Sequence, residues 1–534
     1  MVERKNMKKK SFALHLLLHQ GYFRDINNSE SDKNQLLFYA ISQTYLPLLN
    51  MFANLESDGI NFKIGLTITP SLCTLLTDPV VQQSYIEWLD KLILLGEAEI
   101  KKHEGNPEIQ ELAKEYLRTC KRNKRDFVET FNQDILSKFA YYAHKGNIEL
   151  FASAATNCFL PHYIDLKEAI HAQVEAGLIA HKSFFNLAPE GFWLPNLGYT
   201  PGLEHILRSY GLNYAIIETH GLLFSTPPSK NGIFSPVRSE NSFAFFGRDP
   251  YAEKEIMGDE GYIHNEIYRN EENDIGFESD IEELTAILDQ NKERISTGYK
   301  YFSKASKSIE KKQYDIEKAR QQADKDAQDF LAKKIDLLQK AAELSEEDEV
   351  SLVATFDASL FGEKWFEGID WLERFFRHAS KQEEINIENC SDLAKNQFTL
   401  QVVQPYHSAA SGFGYGEDLV DSSNEWMVRY VHKSTERMID LAQRFTDDTG
   451  LKARALNLAA KEILLAQASD WPSMLHNKNY PDFAREAFSQ NVSSFATVFE
   501  SLGSNNTSTE WLTNTERAHQ IFPWINYRIF SKKK

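Results

Sequence analysis

The sequence predicts an α/β fold in which buried parallel strands alternate with helices, the sheet either open or closed into a barrel. Two observations carry this. Short, near-continuous apolar runs occur at 12–18, 62–67, 148–151, 191–194, 214–217 and 352–356, as a parallel sheet covered on both faces requires. Between them lie helical stretches such as 82–100, which gives the alternation of an α/β unit. A third observation places function on that fold. Polar residues stand just past the runs: His19 and Gln20, Asn157, Asn196, Glu218 and His220, and Asp357. In a barrel of βα units the active site is built from these C-terminal strand ends, although polar residues also mark where any strand stops.

The first run follows Lys8, Lys9 and Lys10 and so resembles a signal peptide. It is short, contains His15, and meets His19 and Gln20 with no small-residue cleavage site between, so it is assigned as a strand. Residues 280–345 change character: rich in Lys, Glu, Gln, Asp and Ala and free of proline, they are expected to form long solvated helices inserted before the last barrel strand. Barrel segments are accordingly expected at 1–279 and 346–405, with a helical domain at 406–534. There Met438, Leu441, Ala442 and Phe445, then Leu456, Ala459, Ala460 and Ile463, follow helical spacing, with Gly450 as the stop between them. The tail Lys532 to Lys534 is expected to fray.

Composition limits the function classes. A chain of 534 residues with 42 % apolar content supports a sizeable core in two or three packed units. The net charge of −18 repels polyphosphate and argues against a nucleic-acid partner. No uncharged apolar stretch reaches transmembrane length, so no membrane partner is expected. Cys73, Cys120, Cys158 and Cys390 are scattered without zinc-ligand spacing; no metal is expected, and a reducing, cytoplasmic setting fits. Aromatic residues at 12 % suit sugar stacking and core packing alike.

Two segments are the most informative: Gly191-Phe-Trp-Leu-Pro-Asn-Leu-Gly-Tyr-Thr-Pro-Gly-Leu-Glu204, and Phe356-Asp-Ala-Ser-Leu-Phe-Gly-Glu-Lys-Trp-Phe-Glu-Gly368. They resemble the third and fourth signature regions of glycoside hydrolase family 57, WLPE-x-x-Y-x-PGLE and D-x-ELFG-x-WWFEG. His19-Gln20, Gly146 to Leu150 before Ser153 to Thr156, and Ala468 to Trp471 resemble its other regions. Glu218 to Gly221 and Phe246 to Pro250 resemble the 1,4-α-glucan branching members. The resemblance runs from about residue 11 to 502 in family order. It implies an incomplete seven-stranded (β/α) barrel with a helical C-terminal domain, and retaining chemistry on α-1,4-glucans without cofactor or metal.

Such chemistry needs two carboxyl groups, one to attack the anomeric carbon and one to protonate the leaving oxygen. The resemblance implies that Asp357 takes the acid/base position and that the nucleophile position is held by Asn196. An amide there forms no acylal ester, and losing a central catalytic group costs on the order of 10⁴–10⁶ in rate. Against the family pattern, Leu17, Gly21, Asn157, Asn231, Ser359, Glu363, Lys364 and Ala410 also depart. Substrate contacts are expected from His19, Trp193, Trp365, Asp470 and Trp471, each of which is equally a packing or supporting residue. Glu190 and Glu204 are the carboxylates nearest in sequence to Asn196, and Glu204 matches a framework glutamate. Three readings follow. The protein is an α-glucan-recognising relative with impaired catalysis, an active branching or related retaining enzyme of glycogen metabolism, or a non-catalytic interaction protein.

Overall fold

The computed structural model describes residues 8–24, 32–285, 287–288, 294–305, 311–504 and 506–533. Among the described residues nine strands form one sheet: β1 Lys9–Leu18, β2 Ile64–Ile68, β3 Ile148–Ser153, β4 Gly191–Trp193, β5 Tyr214–Ile217, β6 Val237–Arg238, β7 Ala244–Gly247, β8 Glu349–Asp357 and β9 Asn386–Ile387. Their order is β6-β7-β5-β4-β3-β2-β1-β8, with β9 beside β1. Strands β1 to β5, β7 and β8 are mutually parallel; β6 alone runs antiparallel, against β7. Between β7 and β8 the curled sheet is joined by the isolated bridge Arg248↔Val353, where Asp249 N–H donates to the Val353 carbonyl at 2.7 Å. This is the seven-stranded incomplete barrel expected. All six apolar runs are strands. The seventh strand, Ala244–Gly247, is an addition.

Alternation along β1 separates two cores. Phe12, Leu14, Leu16 and Leu18 face the helices that wrap the sheet. Ala13 and Leu17 join Phe151, Trp193, Tyr214, Ile216, Phe246 and Val353 inside the barrel. His15, also on the inward side, bonds Thr67 Oγ1 at 2.8 Å and stacks on Trp193 with ring centroids 5.1 Å apart. Burial lowers the His15 pKa to about 3, so this imidazole is a neutral packing element.

The helix predicted over 82–100 is Pro79–Lys102. Its cap is Asp78, whose carboxylate accepts the Val80 N–H at 2.9 Å, with proline in the first turn. The stretch Asn34–Ser57 is long and apolar enough to cross a membrane, but most of it is buried inside the protein. The four cysteines are unpaired, and Cys73, Cys158 and Cys390 are buried.

The segment 280–345 differs from the expectation of several solvated helices. Its described part holds a short 3₁₀ turn, Ile281–Leu284, and one long helix, Ile316–Leu344; residues 286, 289–293 and 306–310 lie outside the described residues. The helix is not a solvated spacer. It buries Phe330, Leu331 and Leu338 and packs on β8 and on the helix Gly368–Ala379. Its Lys334 is fully buried and pairs with Asp249 at 2.8 Å and Glu255 at 2.9 Å. Charge composition misled here because the charges on one face hid an apolar stripe on the other.

The C-terminal region is helical, with Glu425–Arg444, Gly450–Ala466, Asp470–His476, Pro481–Ser504 and Thr509–Ala518. Gly450 does not stop the first of these: that helix ends at Arg444, and Gly450, at φ +63°, opens the next. The tail is not wholly loose, since Lys533 pairs with Glu175; Lys534 lies outside the described residues.

Candidate functional site

A cleft of about 380 Å³ opens at the C-terminal strand ends. Leu17 and His19 reach it from the end of β1, Asn157 from beyond β3, and Trp193, Asn196 and Leu197 from β4 and its turn. Arg248 comes from β7 and Asp357 from β8. Glu253, Met257 and Lys364 extend the wall, Ala410 contributes from a loop, and Ser469, Asp470 and Ser473 close it from the helical region. The structure therefore brings His19, Asn157, Trp193, Asn196, Asp357 and Asp470 together from chain segments far apart in sequence.

Two asparagines turn the chain at this rim. Asn157 and Asn196 have φ of 56° and 53°, the left-handed region that asparagine tolerates better than most residues. One serine clips both turns. Ser469 Oγ donates to the Asn157 carbonyl at 2.6 Å and accepts from Asn196 Nδ2 at 3.1 Å. The Asn196 carbonyl in turn accepts the Ala410 N–H at 2.7 Å, so the turn, the loop and the helical region are tied at a single point.

His19 is the second organising residue. Its Nε2 lies 2.7 Å from Asp470 Oδ1 and 3.1 Å from Asn157 Nδ2, and its Nδ1 is 3.0 Å from Thr69 Oγ1. Burial opposes charge on this imidazole, but the adjoining Asp470 carboxylate, with Asp357 further away, raises its pKa above the ordinary value. Asp357 ends β8 and accepts the Ser359 N–H at 2.9 Å. Behind it, burial and the Asp357 charge push Glu363 up to about 8 against the hydrogen bond from Thr44. Arg248 is held by Glu218 at 2.5 Å and by Glu253.

The tryptophans separate. Trp193 lines the cleft, although one face is covered by His15. Trp365 does not reach it: it is buried against Tyr268, Phe361 and Trp371. Trp471 is likewise a packing residue, donating Nε1–H to the Leu465 carbonyl at 2.7 Å between Phe23 and Phe483. Neither Glu190 nor Glu204 lines the cleft. Glu204 is buried, accepting Tyr199 Oη at 2.9 Å and Gly202 N–H at 2.8 Å. Glu190 precedes β4 at its opposite end and accepts Asn213 Nδ2. Arg248 and Ser469 also line the cleft, and they lie within 246–250 and 468–471, where their neighbours in sequence carry no mark of the contacts they make.

The arrangement offers the Asp357 carboxyl group at the end of β8, the Asp470–His19 carboxylate–imidazole pair, and the Asn196 amide at the β4 turn. The chain as a whole is similar to known proteins. A model of glycosyl hydrolase family 57 matches residues 11–404, and one of the 1,4-α-glucan branching enzyme C-terminal region matches 430–530. A 1,4-α-glucan branching enzyme of Thermococcus kodakarensis is 26 % identical over 487 residues, covering 84 % of this chain and 67 % of that protein. The crystal structure of the α-amylase AmyC from Thermotoga maritima superposes with a TM-score of 0.92 at 28 % identity, covering 99 % of this chain and 100 % of that one. A family-57-type branching enzyme from Pyrococcus horikoshii shares the fold, with a TM-score of 0.86 at 23 % identity over 99 % of this chain and 97 % of its own.

Proposed function

Because the chain belongs to glycosyl hydrolase family 57, we propose that its cleft recognises an α-1,4-glucan, and that Asn196 at the nucleophile position impairs the retaining transfer a branching enzyme performs. One observation carries this reading: the motif residue Asn196 and the motif residue Asp357 line the same cleft. Asp357 keeps the carboxyl needed to protonate a glycosidic oxygen. Asn196 carries no negative charge to stabilise an oxocarbenium ion and forms no glycosyl ester. The likeness to α-glucan-acting relatives supports the substrate class. His19, Trp193 and Asp470 are the proposed sugar contacts. Trp365 and Trp471 act only by supporting the strands and helices that carry those contacts.

The test is a long incubation of purified protein with amylose beside an Asn196→Glu variant, counting α-1,6 branches after debranching, together with retardation in a glucan affinity gel. Retardation of both proteins with branches only from Asn196→Glu is the expected result. Branches from the native protein, lost on Asp357→Ala, establish the second reading, an active branching enzyme, which the match over residues 430–530 favours. No retardation and no branches from either protein leave the interaction-protein reading.

A further inference from the structure

We infer that Asp470, anchored by His19, is the general base of a slow α-glucan hydrolysis that inverts the anomeric carbon, with a water oriented by Asn196 as nucleophile. The inference rests on the glucan reading of the cleft and deepens it.

The orientation of the Asn196 amide is the first support. Ser469 gives its only hydroxyl proton to the Asn157 carbonyl, so it meets Asn196 as an acceptor, and the amide must present Nδ2 to it. That leaves Oδ1 directed away from Ser469, with no partner among the described residues, on a half-buried side chain that lines the cleft. A carbonyl oxygen there accepts a water proton. Asparagine is one methylene shorter than glutamate, and a water, which takes roughly 30 Å³ in the liquid, suits the space so opened.

The second support is Asp470. It lines the same cleft, directly after the serine that holds Asn196. Its Oδ1 is engaged by His19 at 2.7 Å and its side chain is 14 % exposed, so Oδ2 is free to face a ligand. Thr69 at the far ring nitrogen fixes the imidazole, and the imidazole fixes the carboxylate. An inverting hydrolysis needs one carboxylic acid at the leaving oxygen and one carboxylate at a water on the opposite face of the sugar. Asp357 and Asp470 supply the two.

The step balances with water as the sole co-reactant. The water oxygen forms a bond to C1 while the bond from C1 to the glycosidic oxygen breaks, its electron pair going to that oxygen. Asp357 protonates the departing oxygen and Asp470 takes the water proton; both exchange back with solvent. An α-link then yields a β-anomer, whereas double displacement yields an α-anomer.

The test uses α-maltosyl fluoride, whose good leaving group brings cleavage ahead of mutarotation. Fluoride release is followed by electrode and the anomer of the new maltose by proton NMR. The expected result is β-maltose first from the native protein and α-maltose first from Asn196→Glu. Asp470→Asn is expected to slow fluoride release at least a hundredfold while remaining folded, with glucan retardation weakened by far less. In Asp470→Ala, added azide is expected to restore release as β-maltosyl azide, a signature that loss of packing does not produce. Native protein giving α-maltose first, release no faster than in buffer, or an undiminished rate in Asp470→Asn overturns the inference. If glucan retardation persists in that event, the glucan reading stands alone; if retardation is also missing, both fall.

Discussion

Asn196 donates its side-chain Nδ2 to Ser469 Oγ at 3.1 Å, across a gap of 273 residues in sequence. The same hydroxyl closes on the Asn157 carbonyl, so one serine of the helical region fixes the turns that follow two neighbouring barrel strands. The position of the amide in the cleft is thus set by the packing of the helical region, which makes the site a joint product of barrel and helices.

Ser469→Ala is expected to cost about 1–3 kcal/mol in urea unfolding, because it leaves the buried Asn157 carbonyl with fewer donors and the Asn196 amide without an acceptor. Glucan retardation should weaken in parallel. An unchanged unfolding midpoint with unchanged retardation would show that the two turns hold their shape alone.

Lys334 is buried with Asp249 and Glu255, and Asp249 sits beside the bridge that joins β7 to β8. Lys334→Met leaves buried carboxylates without their cation and is expected to cost about 3–5 kcal/mol. Adding Asp249→Asn should return part of that loss. Unfolding of the two variants in urea measures both effects.

The His19–Asp470 pair makes stability depend on pH. The imidazole pKa is raised in the folded state, so the contribution of the pair is fully present below about pH 6.5, the unfolded value, and is lost as pH rises through the folded value. Asp470→Asn is therefore expected to be less stable than the native protein near pH 6, and the difference should shrink towards alkaline pH. A difference that is constant from pH 6 to pH 9 contradicts the pairing.

Glu149, at the opposite end of the barrel, behaves in the contrary sense. Burial pushes its pKa up to about 7, against hydrogen bonds from Tyr214 Oη and the Ser391 N–H. Ionising it costs stability as pH rises from the unfolded value near 4.5 to about 7. Glu149→Gln is expected to match the native protein near pH 4 and to exceed it by about 1–3 kcal/mol at pH 8. Thermal melts across that range decide the matter.

Where the sequence was legible, local pattern and chemistry agreed. Six strands showed as apolar runs because burial on both faces leaves no room for polar residues. The strand Ala244–Gly247 escaped although it is as short and as buried as Tyr214–Ile217. Trp365 and Trp471 show the limit for side chains: a tryptophan in a motif serves equally as platform or packing, and only the contacts with Tyr268, Trp371, Phe23 and Phe483 separate the two. The role of Ser469 was illegible for another reason. Its partners are Asn157 and Asn196, and spacing along a chain carries no information on contacts made that far apart. Gly450 shows the same ambiguity locally, since a left-handed glycine serves the end of one helix and the start of another.

The place of β1 bears on how the polypeptide is assembled. It lies between β2 and β8, and its Lys9 is in register with Glu349. One long flank of β1 therefore stays open on a growing chain until β8 emerges from the ribosome, and an apolar strand with a bare edge invites pairing with other chains. Synthesis interrupted between 68 and 349 would release that edge uncovered, so a chaperone acting on nascent chains has its clearest task on this molecule at β1.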